Sequence, residues 1–187
     1  MNRRETLTAM LALGAGACTG LPPPKTEETP IGTNFSAAVP YVPTRPEIVD
    51  AMLLLGGVGA KDVVYDLGCG DGRIVIAAAK RFGASGLGVD IQTDVIAMAE
   101  AQAHWEGVAN RVKFTLGNLF DLDLRPATVV MLYLSVDLNI RLRPKLLAEL
   151  RPGSRIVSNR FDMADVWRPT RSVVVADTPI HLWRVGG

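Results

Sequence analysis

Gly68, Gly70 and Gly72 are the residues of this chain whose type and spacing best suit chemistry. They follow the apolar run Val63-Val64-Tyr65-Asp66-Leu67 and precede Arg73 and a helix-like stretch, so a predicted strand runs into alternate glycines and then a helix. Glycine lets the backbone turn tightly and come close to a ligand, and the helix N-terminus that follows offers free N–H groups to an anion. A dinucleotide pyrophosphate loop has the spacing G-x-G-x-x-G. Here Arg73 stands at its third position and Gly72 falls one residue early, which argues against a nicotinamide oxidoreductase. Cys69 lies inside the loop and reads as a small packing residue, since the predicted topology puts neither His104 nor His181 beside it as a base. With two histidines and no spaced cysteines, a metal site has no support, and Cys18 and Cys69 lie in contexts too different to suggest a disulfide.

The elements that must position this loop follow from periodicity. Pro46 suits a first helical turn, and Ile48, Val49, Met52, Leu53 and Leu55 recur at helical spacing before Gly56-Gly57. Predicted strands are 63–67, 87–90, 112–116, 128–134 and 155–161, and predicted helices are 74–82, 94–105 and 137–150. Residues 118–127 are too few for a full crossover helix. Segments 172–176 and 180–185, separated by Asp177-Thr178-Pro179, read as a terminal hairpin. Strand alternating with helix implies a parallel sheet with right-handed crossovers, so the expected fold is α/β: a doubly wound, Rossmann-like, seven-stranded sheet, mostly parallel, with a C-terminal antiparallel hairpin.

The run Asp66 to Gly72, D-x-G-x-G-x-G, resembles motif I of class I S-adenosylmethionine (SAM)-dependent methyltransferases. The resemblance implies that Asp66, Gly68, Gly70 and Gly72 hold the amino acid end of SAM. Asp90, ending the second strand, would accept hydrogen bonds from the ribose hydroxyls, and Ile91 would lie against adenine. Asn118 and Leu119, after the third strand, stand where the family has an Asp and a hydrophobic residue contacting adenine. Asn118 departs from that pattern, although its side-chain carbonyl could accept from the adenine amino group.

Pro40-Tyr41-Val42-Pro43-Thr44, the run Gly72 to Ala79, Asn118-Leu119-Phe120 and Leu142 to Leu146 narrow the match. They resemble small bacterial methyltransferases similar to the mitochondrial lysine methyltransferases of the ATP synthase c-subunit and the adenine nucleotide translocase. The implied acceptor is an amine, borne by a protein lysine or a small molecule. Tyr133 after the fourth strand, Tyr41 and Asp162 are the candidate catalytic residues, and Thr44 joins the cofactor set. Ser135 and Asn159 also line the acceptor side. Leu132-Tyr133-Leu134-Ser135 is not the Asp/Asn-Pro-Pro-Tyr/Phe tetrad of base and glutamine amino methylation.

Composition sets limits around this reading. Hydrophobic residues are 48% and charged residues 21% of the 187, as in a packed domain, and a formal charge of +1 lacks the bulk attraction behind non-specific nucleic-acid binding. No nucleic-acid partner is expected. Arg3-Arg4 and the apolar run from Leu7 to Ala17 read as a signal over 1–18, with a lipobox-like Ala15-Gly16-Ala17-Cys18. Residues 19–33 read as a Pro-rich linker and 34–187 as the catalytic domain. The expected location is the cell envelope, with membrane contact only through a lipid on Cys18; the alternative is cytoplasmic. The competing functional class is an exported lipoprotein that binds SAM or another ligand without catalysis.

Overall fold

A computed structural model describes residues 41–186; the signal, lipobox and linker readings, and residues 34–40, lie outside the described residues. Helix α1 (Pro46–Leu55) opens the fold with proline in its first turn and buries Ile48, Val49, Met52 and Leu53. Then come β1 (Val63–Leu67), α2 (Arg73–Phe82), β2 (Ser85–Asp90), α3 (Thr93–Trp105) and β3 (Val112–Leu116). β4 (Val129–Leu132), α4 (Val136–Glu149) and β5 (Arg155–Asn159) complete the winding, and a 3-10 turn (Ala164–Val166) leads to the hairpin of β6 (Arg171–Val175) and β7 (Thr178–Arg184).

The seven strands form one sheet in the order β3-β2-β1-β4-β5-β7-β6. β1 to β5 pair in parallel, and β7 inserts antiparallel between β5 and β6. The expected α/β sheet with its antiparallel hairpin is therefore observed. The hairpin turn falls at Ala176-Asp177, both at positive φ, one residue earlier than the sequence suggested, so Thr178 and Pro179 belong to β7. The 3-10 turn at Ala164–Val166 was not anticipated.

Both faces of the sheet are covered, so β4 (Val-Val-Met-Leu) is buried at every residue, as parallel strands require. On one face α1, α2 and α3 pack with Val64, Val129, Met131 and Val157. On the other, Leu142 and Leu146 of α4 pack with Leu67, Leu132, Ile156 and Trp183. No crossover helix joins β3 to β4. Leu124 and Ala127, both buried, fill that part of the second face from a turn-rich segment.

At the amino ends of the central strands, Asp62 ties three segments together. Thr128 Oγ1 donates to Asp62 Oδ1 at 2.7 Å, Gly59 N donates to Oδ2 at 2.8 Å, and Arg155 pairs with Oδ1. Burial acts to raise the Asp62 carboxyl, but the hydrogen bonds from Thr128, Gly59 and Arg155 outweigh it and hold the group below its ordinary value. A depressed carboxylate stabilises the fold above its unfolded pKa, and that contribution is lost as pH falls through the folded value. Asp62→Asn is therefore expected to cost about 2 kcal/mol at neutral pH. The gap between wild type and variant should narrow below about pH 4 in denaturant melts; a gap that does not change with pH would remove Asp62 from this role.

Candidate functional site

The glycine loop is held from the end of β2. Gly68 N and Cys69 N both donate to Val89 O, at 2.9 and 3.0 Å, and Gly70 N donates to Asp90 Oδ2 at 3.0 Å. Three consecutive amides thus converge on one strand end. Gly68, Gly70 and Gly72 have φ of 85°, 52° and 74°, a region that costs other residues strain. Among the described residues, Asp90 Oδ1 accepts only from Gln92 N, at 3.1 Å. A carboxylate offers about four acceptor sites, so the Asp90 oxygens keep lone pairs for ribose hydroxyls. Ile91 beside it is 48% exposed, an open apolar surface suited to a nucleobase.

The space above Gly70 is taken by Tyr41. A Cβ at Gly70 would lie 2.4 Å from Tyr41 Cε2, so the close approach that this glycine permits in the structure is that of a tyrosine ring. At Gly72 a Cβ would lie 2.5 Å from Phe114 Cε1 of β3 and 3.0 Å from Ala99 of α3, so packing between the loop and these elements also demands glycine there. The Tyr41 hydroxyl faces Asp71 and Arg73, and burial followed by the Asp71 charge raises its pKa, which keeps it a neutral phenol. Arg73 grips Asp71 through Nε at 2.9 Å and Nη2 at 2.5 Å, while Nη1 donates to the Thr44 carbonyl at 2.7 Å. Thr44 is buried, and the Tyr41–Arg45 segment is strapped over the loop by this pair.

Asp66 lies in β1 behind the loop and is 2% exposed. Burial first, then the charges of Asp90 and Asp71, push its carboxyl well above the usual range. Burial likewise raises the Cys69 thiol, reinforced by Asp66 and Asp90, which suits the packing role and opposes a thiolate. Asn118 Oδ1 accepts from Phe120 N at 3.0 Å, so the oxygen expected to meet adenine already stabilises its own turn and retains one lone pair. Leu119 packs partly into the core beside α4.

The three candidate catalytic residues fall in two different settings. Tyr41 sits on the glycine loop. Tyr133, just past β4, stacks on Phe161 with ring centroids 6.3 Å apart and planes at 22°. Asp162 Oδ1 accepts from Ala164 N at 3.0 Å and so caps the 3-10 turn. Sequence reasoning missed the group that shapes this loop. Asn139 of α4, fully buried, donates through Nδ2 to Ser158 Oγ at 3.3 Å and to the carbonyls of Phe161 and Asp162 at 3.0 and 3.4 Å. Ser158 Oγ donates to the Phe161 carbonyl at 2.6 Å. Asn139 stands three and seven residues before Leu142 and Leu146 on one buried stripe, and a polar residue on such a stripe was the available signal.

These features fit SAM on the chemistry of the donor set: loop glycines at positive φ, an Asp90 carboxylate with spare lone pairs, and acidic residues in and beside the loop, which suit a ligand that carries positive charge. A cation bound at the loop favours the Asp66 anion, so SAM affinity is expected to strengthen as pH rises above the ordinary carboxylate range. Asp66→Asn should abolish that slope in titration calorimetry. Parallel pH profiles for the two proteins would show that Asp66 does not sense the ligand.

Comparison with known proteins agrees. The family model described as the ANTKMT methyltransferase domain matches residues 66–171, more than half of the chain. A protein-lysine N-methyltransferase of Saccharolobus islandicus (strain REY15A) is 44% identical over 140 residues, 74% of this chain and 86% of that protein. The adenine nucleotide translocase lysine N-methyltransferase of Mus musculus is 34% identical over 146 residues, 78% of this chain and 62% of the mouse protein. Among solved structures, one described as an RNA methyltransferase from Salinibacter ruber, in complex with S-adenosyl-L-homocysteine, is 46% identical with a TM-score of 0.75, covering 77% of this chain and 94% of that one. The glycine loop, the strand order and these relatives lead to one assignment: the chain belongs to the ANTKMT methyltransferase domain family and is a SAM-dependent methyltransferase.

Proposed function

We propose that this enzyme methylates the side-chain amine of lysine in a protein acceptor. The observation that carries this reading is the 44% identity to a protein-lysine N-methyltransferase, 86% of which is matched. Bound SAM supplies a methyl carbon on a sulfonium, and the chain's own residues bind, orient and exclude water. Asp90 would take the ribose, and the strapped loop with Tyr41 and Thr44 would cover the cofactor. The acceptor would arrive past β4, where Tyr133 and Phe161 offer stacked rings along which a lysine's methylenes can lie. A lysine of pKa about 10.4 must lose a proton, at a cost of roughly 4.6 kcal/mol at pH 7. Burial against an aromatic wall lowers that cost, because it disfavours the ammonium.

The test is transfer of labelled methyl from SAM to a lysate of the source organism, followed by separation of protein from RNA and acid hydrolysis of the protein. The expected label is in methyl-lysine. Label recovered only in RNA, the acceptor named in the description of the Salinibacter relative, would overturn the lysine reading and leave the methyltransferase assignment intact.

A second proposal concerns residues 1–33, and its support is sequence alone: Arg3-Arg4, the apolar run and Cys18. We propose export to the cell envelope with acylation of Cys18, followed by a Pro-rich tether. Fractionation and mass spectrometry of the native protein should find a membrane-associated species beginning at a lipidated Cys18. A soluble species retaining residues 1–17 would defeat export without touching catalysis.

A further inference from the structure

Asn159 ends β5 and is 3% exposed, yet its Oδ1 has no hydrogen-bond partner among the described residues. A buried carbonyl oxygen left unpaired is a cost to the folded state, and such groups are rare enough to need a reason.

Its position supplies one. Side chains alternate along a strand, so Asn159 shares the sheet face of Val157, which packs toward Gly56 at the C-terminal end of α1. α1 runs against the strands, which brings its first turn over the carboxyl end of β5. There Arg45 Nη2 donates to Ala176 O and Thr178 Oγ1, at 2.8 and 3.0 Å, just beyond Ile180, the residue paired with Asn159. Leu132 pairs with Ser158, so Asn159 stands level with Tyr133, one strand spacing away, about 4.8 Å. It stands about 10 Å, two spacings, from β1 and its glycine loop. That distance separates it from the loop glycines that would hold the cofactor's amino acid end and sets it beside Tyr133, on the side where the acceptor would arrive. In α/β sheets of this kind chemistry lies beyond the carboxyl ends of the strands.

We propose that Asn159 Oδ1 is the acceptor-amine site: it accepts an N–H of the incoming amine and turns the nitrogen lone pair toward the methyl carbon. The assignment rests on the amine-acceptor reading above. A neutral carboxamide suits the task, since it binds the uncharged amine without favouring the ammonium as a carboxylate would. Asn139 supports the site from the opposite face by fixing Ser158, which precedes Asn159, and the Phe161 turn, which follows it. It is a positioning residue.

Asn159→Leu keeps the size of the side chain and removes the acceptor oxygen. In the purified full-length enzyme, with labelled SAM and the lysate protein fraction, kcat/KM for the acceptor should fall at least tenfold. The SAM dissociation constant should stay within twofold, and the melting temperature should hold or rise, because a buried orphan oxygen has been removed. Loss of stability together with activity would make Asn159 structural, and a parallel loss of SAM affinity would place it on the cofactor side. If the leucine variant does not fold, Asn159→Ala is judged by the same three readouts. The wild-type arm alone decides the amine reading: no label in methyl-lysine sinks both proposals, whereas undiminished labelling by the variant sinks only this one.

Discussion

The convergence of three successive amides on the end of β2 is the interaction on which the site depends. Gly68 and Cys69 share the Val89 carbonyl, and Gly70 takes an oxygen of Asp90. The chain can make these bonds only by curling back over the neighbouring strand, and only glycine accepts the resulting φ at positions 68, 70 and 72 without strain. Asp90 therefore has two tasks. It fixes the loop before any ligand arrives and still offers lone pairs outward, so the carboxylate that would recognise ribose also preorganises the cradle beside it.

Charge follows the same economy. Asp66, Asp71 and Asp90 crowd one loop, and each is managed differently. Arg73 neutralises Asp71 and in doing so secures the Thr44 carbonyl; backbone amides anchor Asp90 and leave it lone pairs; burial keeps the pKa of the Asp66 carboxyl high. The loop is thus acidic in composition without being a cluster of unpaired anions. It is poised for a ligand that brings positive charge of its own, which a pyrophosphate would not.

Much of the fold was legible because periodicity and glycine placement are local. The bounds of β1 and β3 could be read directly, and those of the other strands and helices to within one or two residues. The acidic and glycine positions of the loop were legible for the same reason. Contacts set by the strand order were not. That Asp90 holds Gly70, that Tyr41 fills the space over it, and that Asp62, Thr128 and Arg155 meet all depend on which strands lie side by side. No spacing within one segment encodes that. Nor did spacing single out the bond that the Asn118 carbonyl accepts from the Phe120 amide two residues on, a habit of asparagine in turns.

The antiparallel insertion of β7 also sets an order in time. β7 emerges from the ribosome after the other six strands, yet it sits between β5 and β6, so β6 has no strand to pair with until β7 exists. Until then β5 is an open edge, with the backbone of Ser158 and Asn159 unpaired on that side and Trp183 not yet available to cover Ile156. The half made of β1 to β3 with their helices can form its local contacts during synthesis, while the carboxyl end of β5 waits for the last hairpin. A nascent chain stalled before Thr178 would carry a complete glycine loop beside an exposed apolar strand edge, the form most open to unwanted strand addition and to chaperone capture.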